Sequence, residues 1–118
     1  MARNSAAGTK PLTSSVFYIL LALADKDRHG LGIAEEVEAR TGGEVSMGPG
    51  TLYNALRKML AAGLIRETSN RPSPEDDDPR RRYYRITDEG RLAVSAEAAR
   101  LDRVVGAARA KDLLPAER

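Results

Sequence analysis

Residues 46–63 read SMGPGTLYNALRKMLAAG, and this stretch decides the fold. Pro49 and Gly50 punctuate the chain, Thr51 stands at the start of a helix, and Gly63 ends it. Leu52, Ala55, Leu56, Met59 and Leu60 recur at i, i+3, i+4, i+7 and i+8, one clean helical face. The opposite face carries Tyr53, Asn54, Arg57, Lys58 and Ala61. A helix that grips a core on one side and offers amide, guanidinium and ammonium groups on the other suits the major groove of DNA. There, base edges present a distinguishable pattern of donors and acceptors. Amphipathicity alone suits a solvated surface helix as well, so the flanking sequence carries the decision.

Downstream, Leu64 to Ser69 and Arg81 to Thr87 read as strands, with Tyr84 and Ile86 alternating against Tyr83 and Arg85. The connection NRPSPEDDDPR is rich in proline and charge, so the pair forms a hairpin wing directly after the helix. Thr87 caps a last helix with Asp88 and Glu89 in its first turn, running to about Lys111. Val94, Ala98, Leu101, Val105 and Ala108 recur along it at spacings of four and three, the seam of helix-on-helix packing.

Upstream, Thr13, Ser14 or Ser15 caps a first helix reaching about Ala24, whose VFYILLALA core is apolar nearly all round. Asp25 to Arg28 form a turn. A second helix spans about Leu31 to Arg40, with Ile33, Ala34 and Val37 inward and Glu35, Glu36 and Glu38 outward, until Thr41-Gly42-Gly43 stops it. The predicted fold is therefore mainly α with a two-stranded β wing: a winged helix-turn-helix plus a long C-terminal helix. Residues 1–12 form a flexible arm, 13–87 the winged domain and 88–118 a dimerisation helix and tail. In so short a chain the all-round apolar first helix needs a second cover. Val16, Phe17 and Leu20 are accordingly predicted to meet Val94, Ala98, Leu101, Val105 and Ala108 across a homodimer interface. Phe17 and Tyr18 also suit the wall of a small-molecule pocket there.

Charge sharpens the reading. Lys and Arg number 19 against 17 Asp and Glu, a net +2, yet no acid falls between Val45 and Arg66. That local basic balance predicts a directed surface for a polyanion. Its candidate DNA-binding residues are Thr51, Tyr53, Asn54, Arg57 and Lys58, joined by Arg80, Arg81 and Arg82 at the base of the wing. The three arginines suit either a phosphate clamp or pairing with the acidic run Glu75 to Asp78 just before them. That run lacks the geometry of a cation site. The chain has no cysteine and a single histidine, His29, in a turn where a structural role is expected. With no nucleophile motif or phosphate loop, no enzyme activity, metal or cofactor is expected. The longest apolar run, Val16 to Ala24, is far below the roughly 20 residues that span a bilayer. With no signal peptide visible, a cytoplasmic location is expected. A winged-helix protein-interaction module without DNA binding is the alternative function.

Four stretches together resemble the PadR family of transcriptional regulators: the apolar first helix with His29-Gly30, Gly48-Pro49-Gly50-Thr51-Leu52-Tyr53, LRKMLAAGLI from Leu56 to Ile65, and Tyr83-Tyr84-Arg85-Ile86-Thr87-Asp88-Glu89-Gly90. The resemblance covers about residues 12 to 91, and a single C-terminal helix is similar to the short form of the family. It implies a homodimeric repressor on an inverted-repeat operator in double-stranded DNA, with a small aromatic effector in some relatives. Two departures stand out. Leu31 replaces the tyrosine that many members place after the glycine, and four acids, Glu75 to Asp78, occupy the wing tip where phosphate would repel them.

Overall fold

Thr13 opens the first helix, its hydroxyl accepting the Val16 N–H at 3.3 Å. The computed structural model describes residues 11–69, 78 and 80–116. In it α1 spans Ser14–Leu23, β1 Arg28–His29, α2 Gly30–Arg40, α3 Pro49–Ala61, β2 Ile65–Thr68, β3 Tyr83–Ile86 and α4 Asp88–Ala110. The three short helices and the sheet enclose one core, in which Ile19, Leu20, Leu23, Ile33, Met59 and Ile65 are fully buried. Ala93 and Val94 bring the start of α4 into the same cluster.

The sheet departs from the predicted two-stranded wing. It has three antiparallel strands in the order β1-β3-β2. Arg28 and His29, predicted as a turn, are extended and pair with Tyr84 and Tyr83. Two residues carry no periodicity, so only the partner strand reveals them as a strand. The pairing also overrides the expected alternation in β3. Tyr83 is buried along with Tyr84 and Ile86, because the His29 ring meets its edge at a centroid distance of 5.3 Å. The second helix begins at Gly30, with His29 as its cap, Nδ1 accepting the Gly32 N–H at 3.1 Å.

The end of α3 is joined to the start of α4 through one corner. Gly63, at φ +78°, takes the left-handed conformation that lets a helix end abruptly. Its N–H reaches Leu60 O, and the Leu64 N–H reaches Met59 O, closing the last turn. Thr87 then donates its hydroxyl to Gly63 O at 2.6 Å and its N–H to Leu64 O at 3.1 Å. The same hydroxyl accepts the Gly90 N–H at 3.0 Å, capping α4 as predicted.

Along its 23 residues α4 changes character. Gly90, Ala93, Val94 and Glu97 are buried, and from Ala98 to Ala110 no residue is. Glu97, only 5% exposed, accepts from the Arg100 guanidinium at 2.6 Å and from the Leu12 N–H at 3.2 Å. The Arg100 hydrogen bond, helped by the Leu12 N–H, holds its carboxyl below the usual carboxylate value against the opposing effect of burial. Residue 12 is thereby tied to α4; residues 1–10 of the predicted arm lie outside the described residues.

Candidate nucleic-acid interface

Helix α3 is held by Leu52, Leu56 and Met59, all buried. Its other side is open: Thr51, Tyr53, Asn54, Arg57 and Lys58 are all exposed. The helix starts at a Gly48 cap with no side-chain hydrogen bond and with proline in its first turn. Its next N–H groups are therefore left for an outside acceptor, which the partial positive charge at a helix start favours when that acceptor is an anion. On the exposed face Arg57 Nη2 donates to Asn54 Oδ1 at 2.8 Å. Spacing of three places these two residues together on a helix, and a guanidinium, which only donates, can take only the carbonyl end of the amide; the structure shows that the bond is made.

The wing-base arginines divide. Arg80 donates its backbone N–H and its guanidinium to Asp78 at 2.9–3.1 Å. Those hydrogen bonds, the side-chain one foremost, lower the Asp78 carboxyl to about 2. Arg82 stands 3.6 Å from the Glu67 carboxylate on β2. Arg81 Nη1 lies 3.2 Å from His29 Nε2. Pairing with the acidic run, one of the two readings the sequence left open, thus holds for Arg80 in the isolated chain, whereas Arg82 meets Glu67, an acid outside that run. Among the acids of the wing, Glu75, Asp76 and Asp77 lie outside the described residues.

A cavity of about 460 Å³ lies between α2, α3 and the sheet. Leu31, Leu52, Tyr53 and Tyr84 line it, and Arg81 and Arg82 form its rim. Burial raises the Tyr84 phenol above its usual value. The fold therefore brings Tyr53 and Arg80 to Arg82 around one hollow and leaves Thr51, Asn54, Arg57 and Lys58 on the adjoining open face. Sequence reasoning did not place His29 or Leu31 here. His29 sits here because β1 pairs with β3, a contact with no local signal. Leu31, 56% exposed, carries the one available signal, a large apolar residue at a position facing away from the helix's buried stripe.

The predicted dimer residues scatter. Leu20 is 0% and Val94 8% exposed, so the chain's own core takes up both. Val16, Phe17, Leu101 and Ala108 are half-buried, and Ala98 and Val105 are exposed. Leu21, Leu92 and Val104, absent from the prediction, are large apolar side chains that face outward. Among the described residues no group of acids and histidine is placed to hold a metal ion. No helix among them is long and apolar enough to cross a membrane.

Residues 19–96 match the model of the transcriptional regulator PadR-like family. Among solved structures the chain is similar to a PadR family transcription regulator from hypervirulent Clostridium difficile. That likeness has 28% identity and a TM-score of 0.67, over 82% of this chain and 96% of the other. A transcriptional regulator from Clostridium thermocellum shares the fold at 22% identity and TM-score 0.67, over 83% and 95% of the two chains. RosR of H. salinarum is similar at 27% identity and TM-score 0.57, over 85% and 96%. An uncharacterized 37.1 kDa protein in a transposon of Streptomyces fradiae is 34% identical over 88 residues, 75% of this chain and 23% of that protein. The chain thus spans about a quarter of the length of the curated relative it matches.

Proposed function

The chain belongs to the PadR-like family of transcriptional regulators, and from that premise we propose that it binds an inverted-repeat operator in duplex DNA as a cytoplasmic homodimer and represses transcription. The observation that carries the DNA-binding reading is the outward face of α3. It is exposed from Thr51 to Lys58 except at core positions, bears Arg57 and Lys58, and lies in a segment without a single acid. Residues 13–87 read the duplex and residues 88–118 join two copies. Asn54, Arg57, Thr51 and Tyr53 meet bases and backbone in this proposal, and Lys58 meets phosphate. Arg80 and Arg82 exchange their intramolecular acids for DNA phosphate, a cheap exchange because exposed ion pairs contribute only about 0–1 kcal/mol, and Arg81 turns from His29 to the same backbone.

The dimer reading rests on the half of α4 beyond Glu97, which has no buried residue and shows Val104 and Val105 to solvent. Leu101 and Ala108 complete that apolar seam, with Val16 and Phe17 of α1 beside it. A small aromatic effector fits the cavity below Tyr53, which is within the size range of small-molecule sites. Its occupation would move Tyr53 and the wing-base arginines together.

Fluorescence titrations of purified protein on genomic duplexes at several salt concentrations test the DNA reading. Log affinity is expected to fall linearly with log salt, and the slope to become shallower by about 2 in Lys58→Ala if each subunit loses one phosphate contact. Unchanged affinity in a folded Arg57→Ala/Lys58→Ala double variant would remove α3 from the interface. Sedimentation of wild type and of Leu101→Glu/Val105→Glu tests the dimer, with two chains expected for the first and one for the second.

A further inference from the structure

On a helix of roughly 3.6 residues per turn, Gly50, Asn54, Arg57 and Ala61 fall on one narrow stripe. That stripe lies opposite the buried Leu52, Leu56 and Met59. Thr51 and Lys58 flank it on one side and Tyr53 on the other. The two ends of the stripe are a glycine and an alanine, so along the stripe itself Asn54 and Arg57 are the two side chains long enough to reach base edges. Those two are already bonded to each other, Arg57 Nη2 giving a proton to Asn54 Oδ1 at 2.8 Å.

That bond decides what the pair can read. A free asparagine presents a carbonyl acceptor and an amide donor side by side, the complement of adenine's major-groove edge. Here Arg57 occupies one of the two lone pairs of the Asn54 carbonyl, and what remains outward is mostly donors: the Asn54 amide N–H groups and the remaining N–H groups of Arg57. No carboxylate stands between Val45 and Arg66 to accept from an exocyclic amine. A face dominated by donors matches guanine, whose major-groove edge carries two acceptors, better than adenine, which pairs one acceptor with one donor. Resting on the DNA-binding reading above, we propose that Asn54 and Arg57 act as one guanine-reading unit. Arg57 contacts the base, and Asn54 braces the guanidinium and donates to a neighbouring acceptor. The unit fixes one G·C pair in each half-site.

Selection from a random duplex library with the full chain, followed by titrations on duplexes that differ at the selected position, tests this. Wild type is expected to return half-sites with a fixed guanine and to bind it roughly 10- to 100-fold better than adenine there. In Arg57→Ala the Asn54 carbonyl is released, so the guanine preference should vanish and adenine become at least as good. Asn54→Ala, which removes the brace and leaves Arg57, should keep guanine as the first choice with the preference reduced severalfold. The proposal is overturned by half-sites without a fixed guanine, by guanine preference that survives Arg57→Ala, or by an undiminished preference in Asn54→Ala. Duplex binding without base preference would overturn this inference and leave the DNA-binding reading standing. Failure of wild type to bind any duplex would overturn both.

Discussion

Helices α3 and α4 both begin beside a glycine, and the two glycines meet opposite surroundings. At α4 a Cβ on Gly90 would collide with the Leu64 carbonyl oxygen and come within 2.8 Å of Ile86 Cγ1. At α3 a Cβ on Gly48 or Gly50 would meet nothing within 4 Å. Gly48 has φ −69°, which any residue adopts. Glycine inside a helix destabilises it relative to alanine, so Gly50, within the first turn of α3, weakens the fold without improving any fit inside the chain, whereas Gly48 is the cap, where glycine is favoured over alanine. Gly90 is there because the chain packs against itself. Under the DNA-binding proposal, Gly50 is there because a phosphate backbone must come close to the helix start.

The comparison can be tested at both ends, and the largest effect is expected at Gly90. Gly90→Ala should destabilise by about 3 kcal/mol, because backbone rather than a movable side chain blocks the new methyl. Thermal denaturation would show this as a fall in Tm of roughly 15 °C. A fall of only a degree or two would mean that the α3–α4 corner is looser than the structure shows.

Next in size is Thr87→Ala, which removes both the cap to Gly90 and the hydroxyl bond to Gly63 O. A loss of about 1–2 kcal/mol in urea unfolding is expected. Thr87→Ser, which keeps the oxygen, should recover most of it.

Gly50→Ala should separate stability from function. The fold is expected to be unchanged or up to about 1 kcal/mol more stable. Operator affinity is expected to fall by about 1.5 kcal/mol, roughly tenfold, if the methyl displaces one backbone N–H hydrogen bond to phosphate. Equal affinity for operator in the two proteins would show that the open start of α3 serves no contact.

The smallest effect concerns acid. The carboxyl of Glu97 is held below its ordinary value of 4.5 by Arg100 and the Leu12 N–H. A carboxylate lowered in the folded state stabilises above its unfolded value, and that stabilisation is lost as pH falls through the folded value. Stability measured from pH 6 downwards should therefore decline less steeply in Glu97→Gln than in wild type, with the difference confined to the region below about 4.5.

Much of this was legible in the sequence. Leu52 to Leu60 repeat with the helical period, so α3 and its polar face could be drawn from spacing alone. Gly63 and Thr87 marked a helix end and a helix start because few residues satisfy those backbone conditions. Other features depended on what lies across space. Leu20 and Val94 look like any other member of an apolar run, and whether a leucine meets its own chain or a second one is decided by which neighbours reach it first. Leu21, next to a fully buried residue, is 44% exposed for the same reason.

What the sequence by itself determined is the four helices and the two wing strands, their order and the chemical character of the face that α3 presents. Those follow from local spacing and from residue types with narrow backbone preferences. Tertiary structure alone decided that Arg28 and His29 form a third strand and that Gly90 sits against the Leu64 carbonyl. Both join residues more than 20 positions apart, and neither has a period for a sequence to reveal.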